Sequence, residues 1–145
     1  MKLLLLTFFI AVSLVSAGRS VVNKTKSDDS TFIYIYRSGK LTGSLINWWI
    51  YVDDQKICKL SNNRYMQVFV KRGKHIVEAK QAGVTVSKKE TQITITAERG
   101  KNYFVACNVQ MKVLSDKLEL LEVTESTGGK QMDGMLLDNC QQPGN

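Results

Sequence analysis

His75 is the only histidine in the 145 residues, so any catalytic arrangement that needs an imidazole must use it. Ser-His-Asp and Cys-His arrangements both depend on such a base. The ring follows Gly73-Lys74 at the start of a strand-like run and shares a face with Val77 and Ala79. This position favours a structural role, with one ring nitrogen bonded to a loop carbonyl, over a role as general base. We therefore expect no catalytic residue and no enzymatic activity.

The residues that could bind a metal ion are few and poorly spaced. Cys58, Cys107 and Cys140 lie far apart in the sequence, whereas zinc sites use four ligands in close pairs. Asp53-Asp54 stands without the further acidic positions of a calcium loop and reads better as a hairpin turn. Gly128-Gly129 lies in a polar segment and does not join a strand to a helix, as a phosphate loop would. We expect no metal ion and no cofactor.

The dipeptide Trp48-Trp49 is the strongest indication of binding. If Trp48, Ile50 and Val52 face the core, alternation directs Trp49 and Tyr51 outward as an aromatic pair. Such a pair can stack on sugar rings or fill a pocket of a partner protein. The alternative is that a second sheet, the tail or the loop 37–45 covers both rings. Trp49 and Tyr51 are therefore our ligand-binding candidates.

Basic turns form a second, weaker group. Strict alternation of strand direction would bring the turns 53–54, 71–74 and 98–101 to one end of the domain. Because these turns carry both signs of charge, a solvated rim of paired charges is favoured over an anion site.

The elements that must position these residues are short strands. β-Branched and aromatic runs alternate with turn residues such as Asp53-Asp54-Gln55 and Arg72-Gly73-Lys74, which indicates hairpins and an all-β fold. We predict an antiparallel β-sandwich of about seven or eight short strands. The predicted strands are 32–36, 46–52, 56–60, 65–70, 75–80, 91–96, 103–109 and 118–123.

The ends of the chain differ in composition from this domain. Residues 1–17 show a charged start, an apolar stretch and a small-residue cleavage site, which predicts a signal peptide followed by a flexible leader, 18–30. The β-sandwich domain is predicted over 31–124. In the polar tail 125–145, the apolar residues Met132, Met135, Leu136 and Leu137 are expected to form either one short helix or merely a strip that covers the domain.

Export and charge limit the partners. We expect a secreted or periplasmic protein with no transmembrane span after cleavage. The formal net charge is +7, but the basic residues are dispersed, so no nucleic-acid partner is expected.

The expected secreted or periplasmic location also bears on how the three cysteines pair. An oxidising environment favours a disulfide, and Cys58 and Cys107 both fall on inward strand faces, so their pairing is preferred. A bridge from either residue to Cys140 in the tail, or no bridge at all, remains open.

Five segments of the predicted domain carry a family resemblance: 34–37, 51–57 with Leu60, 72–75 with Ala79, 99–105, and 118–120 with Glu122. They resemble a bacterial family, domain-of-unknown-function family 2846. The resemblance covers about 31–124 and implies a small surface β-domain related to PEGA-type domains, with no activity assigned. Two positions differ from that pattern: Asp54 stands where glycine is usual, and Ala17-Gly18 replaces the lipid-attachment cysteine of many members.

Together these features predict an exported, non-enzymatic binding or structural module of the cell envelope, whose partner is an unknown envelope protein or glycan. The alternative is a carbohydrate-binding module that uses the exposed aromatic face.

Overall fold

A computed structural model of the protein describes residues 30–40, 47–81, 91–112 and 115–141. The predicted signal peptide, all but the last residue of the predicted leader, part of the loop 37–45 and the last four residues of the tail lie outside these ranges. The described elements are β1 (Thr31–Arg37), β2 (Trp48–Val52), β3 (Gln55–Leu60), β4 (Arg64–Val70), β5 (Gly73–Gln81), β6 (Gln92–Ala97), β7 (Asn102–Lys112), β8 (Ser115–Val123), α1 (Glu125–Met132), β9 (Leu136–Leu137) and a 3-10 helix (Asn139–Gln141).

These strands form two sheets that pack on one shared core. The order is β8-β7-β1-β4-β9 in the five-stranded sheet and β3-β2-β5-β6 in the four-stranded sheet. Inward side chains of both sheets, including Ile35, Ile50, Val77 and Val105, are fully buried in one hydrophobic cluster. The predicted β-sandwich is confirmed.

Strand pairing differs in part from the hairpins that the short turns predict. Three consecutive pairs, β2 with β3, β5 with β6 and β7 with β8, are antiparallel neighbours. By contrast, the connections from β3 to β4, from β4 to β5 and from β6 to β7 pass from one sheet to the other. β1 pairs in parallel with β7, and β9 pairs in parallel with β4. Loop length alone does not distinguish a hairpin from a short arch between sheets.

The predicted tail contains both a helix and an extended segment. α1 begins after Thr124, whose hydroxyl accepts a hydrogen bond from the Thr127 N–H, and it covers Phe104 on the outer face of the five-stranded sheet. Leu136–Leu137 then forms β9. Neither α1 nor any other helix in the described ranges has the length and apolarity to cross a membrane.

Residues 136–141, which we call the C-terminal strap, close one side of the sandwich. Asp138 accepts a hydrogen bond from the Ser61 N–H at 2.7 Å and donates its own N–H to the Tyr65 carbonyl at 2.8 Å. The side-chain amide of Gln141 bonds to both backbone groups of Gln67. The strap therefore ties the end of β3 to the edge of β4.

Candidate functional site

The outer face of the four-stranded sheet carries the two predicted ligand-binding residues. Trp48, Ile50 and Val52 are buried in the core, so the alternation of β2 directs Trp49 and Tyr51 outward, where each side chain is half-buried. The predicted division of β2 into a core face and an outer face is confirmed. The two aromatic side chains lie one above the other along a strand that has a neighbour on each side.

Cross-strand pairing surrounds these rings with charge. Trp49 lies between Lys59 of β3 and Lys80 of β5, whereas Tyr51 lies between Lys56 of β3 and Glu78 of β5. The sequence analysis missed these neighbours because it did not assign the strand register. We call the group the lysine–aromatic patch; its members are Trp49, Tyr51, Lys56, Lys59, Glu78 and Lys80.

Diagonal contacts link the charges to the rings. The Lys56 ammonium lies 3.4 Å from the ring centroid of Trp49, and the Lys80 ammonium lies 4.5 Å from that of Tyr51. Lys80 also contacts a Glu78 carboxylate oxygen at 2.8 Å, and this hydrogen bond is the main reason that its pKa is raised. A ligand that reaches either ring therefore meets a lysine first; Glu78 already pairs with the lysine over Tyr51, so the positive charge of the patch is concentrated around Trp49, at Lys56 and Lys59.

His75 lies at one open end of the sandwich, with both ring nitrogens engaged. Nδ1 lies 2.6 Å from Asp53 Oδ2, and Nε2 lies 2.7 Å from the Lys71 carbonyl oxygen. The expected bond to a loop carbonyl is present. Because both partners are acceptors, the doubly protonated ring satisfies the site best. Neither nitrogen is available to act as a general base.

Asp53 is held in place from two further directions. Its Oδ1 accepts the Ile76 N–H at 2.9 Å, and its own N–H donates to the Ile76 carbonyl at 2.9 Å. Asp53 and Asp54 have φ values of 50° and 62°, the left-handed pair of a type I′ hairpin turn. Asp54 therefore occupies a position that favours glycine. The contacts of Asp53 and His75 stabilise this turn.

These contacts move both pKa values. Burial lowers the pKa of His75, but its bonds to Asp53 and to the Lys71 carbonyl, together with the Asp53 charge, raise that pKa by more, to above the usual 6.5. Burial raises the pKa of Asp53, but the bonds from His75 and the Ile76 N–H lower it by more, to below the usual 3.8. The charged form of each partner is favoured.

The three basic turns do meet at this end of the domain. His75 joins the turn at Asp53 to the β4–β5 connection at Lys71. In the third turn, the Lys101 ammonium lies 2.6 Å from a Glu98 carboxylate oxygen. The hydrogen bond from Lys101 is the main reason that the pKa of Glu98 is lowered. These contacts agree with the favoured interpretation of a rim of paired charges.

The preferred cysteine pairing is corrected by the structure. Cys58 is bonded to Cys140, with a distance of 6.1 Å between their Cα atoms, and Cys107 is a free, buried thiol. Cys58 lies on β3, which packs beside β4 and the strap. Cys107 lies on β7, which is separated from β4 by β1. Cys107 therefore faces the same core as Cys58 but lies away from the strap. Burial raises the pKa of Cys107 to about 12, which leaves it without thiolate character.

One group of potential metal ligands occurs in the described ranges: Cys58, Asp138 and Cys140, whose ligand atoms lie within 4.8 Å of one another. The two sulfurs form the disulfide, and the Asp138 carboxylate accepts the Ser61 N–H. The arrangement is a structural cross-link between β3 and the strap.

Comparison with known proteins yields a family but no activity. No curated protein matches the chain significantly. The family model described as "Protein of unknown function (DUF2846)" matches residues 27–118, which include the lysine–aromatic patch and the Asp53–His75 pair. The match supports the resemblance drawn from the sequence, and the chain belongs to the DUF2846 family of proteins of unknown function.

Proposed function

We propose that this protein is an exported, non-enzymatic binding module of the cell envelope, and that the lysine–aromatic patch binds acidic polymers. The observation that carries the proposal is the placement of Lys56 and Lys80 over the rings of Trp49 and Tyr51. Two large rings offer contact area, and ammonium groups already held beside them supply charge-assisted contacts to carboxylate or phosphate. The net charge of +7, which removal of the predicted signal peptide with Lys2 would lower to +6, adds long-range attraction for such ligands.

Two further observations support parts of this proposal. The Cys58–Cys140 bridge agrees with export, because disulfides persist in oxidising compartments. The absence of enzymatic activity is supported by His75, whose ring nitrogens are both engaged, and by Cys107, whose thiol is buried and protonated.

A carbohydrate-binding module for neutral sugars is the alternative. It is favoured by the outward position of Trp49 and Tyr51 on adjacent same-face positions of β2. However, a neutral sugar that stacks on either aromatic ring would have to displace the lysine ammonium group from the face of that ring. The sugar carries no negative charge with which the displaced ammonium group could pair. The two functions differ most clearly in their dependence on salt.

Isothermal titration calorimetry with polygalacturonate, a carboxylate polymer, and dextran, a neutral one, separates the two functions. We expect binding of polygalacturonate that weakens with salt, is lost in Trp49→Ala, and falls about threefold in Lys59→Gln. Lys130→Gln, on α1 over the other sheet, makes the same charge change away from the patch and should leave binding unchanged. Salt-insensitive binding of dextran would favour the neutral-sugar module, and binding of neither polymer would contradict both functions.

A further inference from the structure

Lys56 rests on one of the two aromatic rings of the lysine–aromatic patch. Its ammonium lies 3.4 Å from the ring centroid of Trp49, although its cross-strand partner is Tyr51. Lys56 and Lys59 are both exposed, whereas Trp49 is half-buried. An ammonium group at this distance covers one face of the indole ring. A ligand can stack on that face only after the lysine has moved.

A β-bulge places two lysines around this ring. Residues three apart in a regular strand point to opposite faces, but the register of β3 shifts between its pairings with Ile50 and Tyr51. Lys56 and Lys59 therefore both lie on the outer face, with Lys59 directly opposite Trp49 and Lys56 diagonal to it. The bulge brings both positive charges to one indole ring.

These two lysines differ from Lys80 in their charge partners. Lys80 lies over Tyr51 but pairs with Glu78 at 2.8 Å. Among the residues that the structure describes, neither Lys56 nor Lys59 forms an ion pair with a carboxylate. A carboxylate of a ligand that reaches them therefore meets two ammonium groups without a competing acid.

We propose that Lys56 determines the specificity of the patch and restricts it to polymers of acidic sugars, a proposal that rests on the proposed function. In the free protein, Lys56 closes the face of Trp49 to neutral sugar rings. A uronic acid unit offers a carboxylate that draws the Lys56 ammonium off the ring and pairs with it and with Lys59. The pyranose ring of the same unit then stacks on the uncovered indole.

The exchange of partners explains why both parts of such a ligand are needed. A cation–π contact at an exposed site is weak, so a charge-assisted hydrogen bond to carboxylate can replace it. A neutral sugar displaces the ammonium group and offers nothing in return. A polyanion without sugar rings binds the lysines but leaves the indole without a stacking partner.

Isothermal titration calorimetry of the wild type with three polymers tests this specificity. Polygalacturonate carries sugar rings and carboxylates, dextran carries rings alone, and polyglutamate carries carboxylates alone. We expect polygalacturonate to bind about tenfold more tightly than polyglutamate of matched length, because only polygalacturonate stacks on the indole. Equal affinities of these two polymers would overturn the sugar ring as part of the ligand.

Lys56→Ala should change the affinities for two of the polymers in opposite directions. Its affinity for polygalacturonate should fall about threefold through the lost charge pair, and its affinity for dextran should rise about threefold because no ammonium group has to be displaced. Lys59→Ala is the matched control, since it removes the same charge beside Trp49 but not the group over the ring. It should weaken polygalacturonate binding by a similar factor and leave dextran binding unchanged. A dextran affinity that did not rise in Lys56→Ala, or that rose equally in both variants, would overturn the role of Lys56.

Acrylamide quenching of tryptophan fluorescence without any polymer separates this proposal from the proposed function. Trp48 is 4% exposed, so the quencher reaches mainly Trp49. Quenching should increase in Lys56→Ala relative to both the wild type and Lys59→Ala. If it increases but polygalacturonate does not bind the wild type, the proposed function and the ligand class are overturned, whereas closure of the ring by Lys56 is supported. If polygalacturonate binds but quenching is the same in all three proteins, the function stands and the role of Lys56 is overturned.

Discussion

Gly128 of α1 lies directly against the ring of Phe104 on the outer face of the five-stranded sheet. A methyl group at this position would overlap the ring atoms, so α1 would have to shift away from the sheet. Tyr36, whose hydroxyl bonds to Gln131 of the same helix, would lose that partner as well. We expect Gly128→Ala to lower the free energy of unfolding by about 2 kcal/mol, measured by urea denaturation.

Gly129→Ala is the matched control for this prediction. Gly129 is exposed in the same helix, and an added Cβ would meet nothing within 4 Å. Because alanine favours the helix over glycine, this variant should be more stable than the wild type by up to about 1 kcal/mol. Equal effects of the two substitutions would show that helix propensity, not the contact with Phe104, decides the outcome.

The disulfide should contribute strongly to stability. Cys58 and Cys140 are 82 positions apart, and closing a loop of that length stabilises the folded state by about 4.5 kcal/mol in the chain-entropy model. We expect Cys140→Ser to lose about this much in urea denaturation, whereas Cys107→Ala should lose about 1 kcal/mol.

Alkylation tests the pairing itself. In denaturant without reductant, Cys107 should be the only alkylated cysteine, and all three should react after reduction. Peptide mass spectrometry reads the result. In the native protein near pH 8, Cys107 should not react, since burial raises its pKa to about 12. Alkylation of Cys58 or Cys140 before reduction would refute the bridge.

The pair of His75 and Asp53 predicts a pH-dependent stability. The raised pKa of His75 gives stability that is fully present below its unfolded value of 6.5 and is lost as pH rises through the folded value. The lowered pKa of Asp53 gives stability that is present above 3.8 and is lost as pH falls through its folded value. The pair should therefore stabilise the fold most between these two values.

His75→Gln isolates this effect, because the chain has one histidine. Asp53 is half exposed, so we expect a modest contribution: the wild type should exceed the variant by about 1 kcal/mol more near pH 5.5 than near pH 8.5. Thermal denaturation at both pH values measures it. A difference between wild type and variant that did not change with pH would contradict the assignment of the charged ring.

Asp138 should be important for the attachment of the strap. It is 3% exposed, and Asp138→Ala would leave the Ser61 N–H without its acceptor, which costs about 2 kcal/mol. Asp138→Asn keeps a carbonyl oxygen at the site and should recover part of this loss. Urea denaturation measures both variants, and equal losses would mean that the negative charge, rather than the acceptor, is required.

Local sequence patterns were sufficient to predict most of the strands and the faces of β2. Apolar residues at Trp48, Ile50 and Val52 alternate with Trp49 and Tyr51, and a strand has a side-chain period of two, so one buried residue determines the rest. The two-residue turn at Asp53 and Asp54 could also be predicted locally, because its residue types tolerate the left-handed conformation. Each of these predictions depends on neighbours within a few residues.

The register of β3 could not be predicted in this way. After the Asp53-Asp54 turn, regular pairing would put Cys58 opposite Trp49 on the outer face. A β-bulge instead pairs Ile50 with Cys58 and Trp49 with Lys59. This one irregularity turns Cys58 to the core face that was predicted for it and places Lys59 beside Trp49.

The remaining features depend on which strands are adjacent, and this was decided only by the tertiary structure. Cys58 and Cys107 both face the core, but lateral strand order places Cys58 beside the strap and Cys107 on β7, beyond β1. In regular strands such as β2, sequence alone determined which residues face inward, because that depends on local periodicity. Long-range packing of the sheets decided which inward residues meet, because many strand orders satisfy the same alternation.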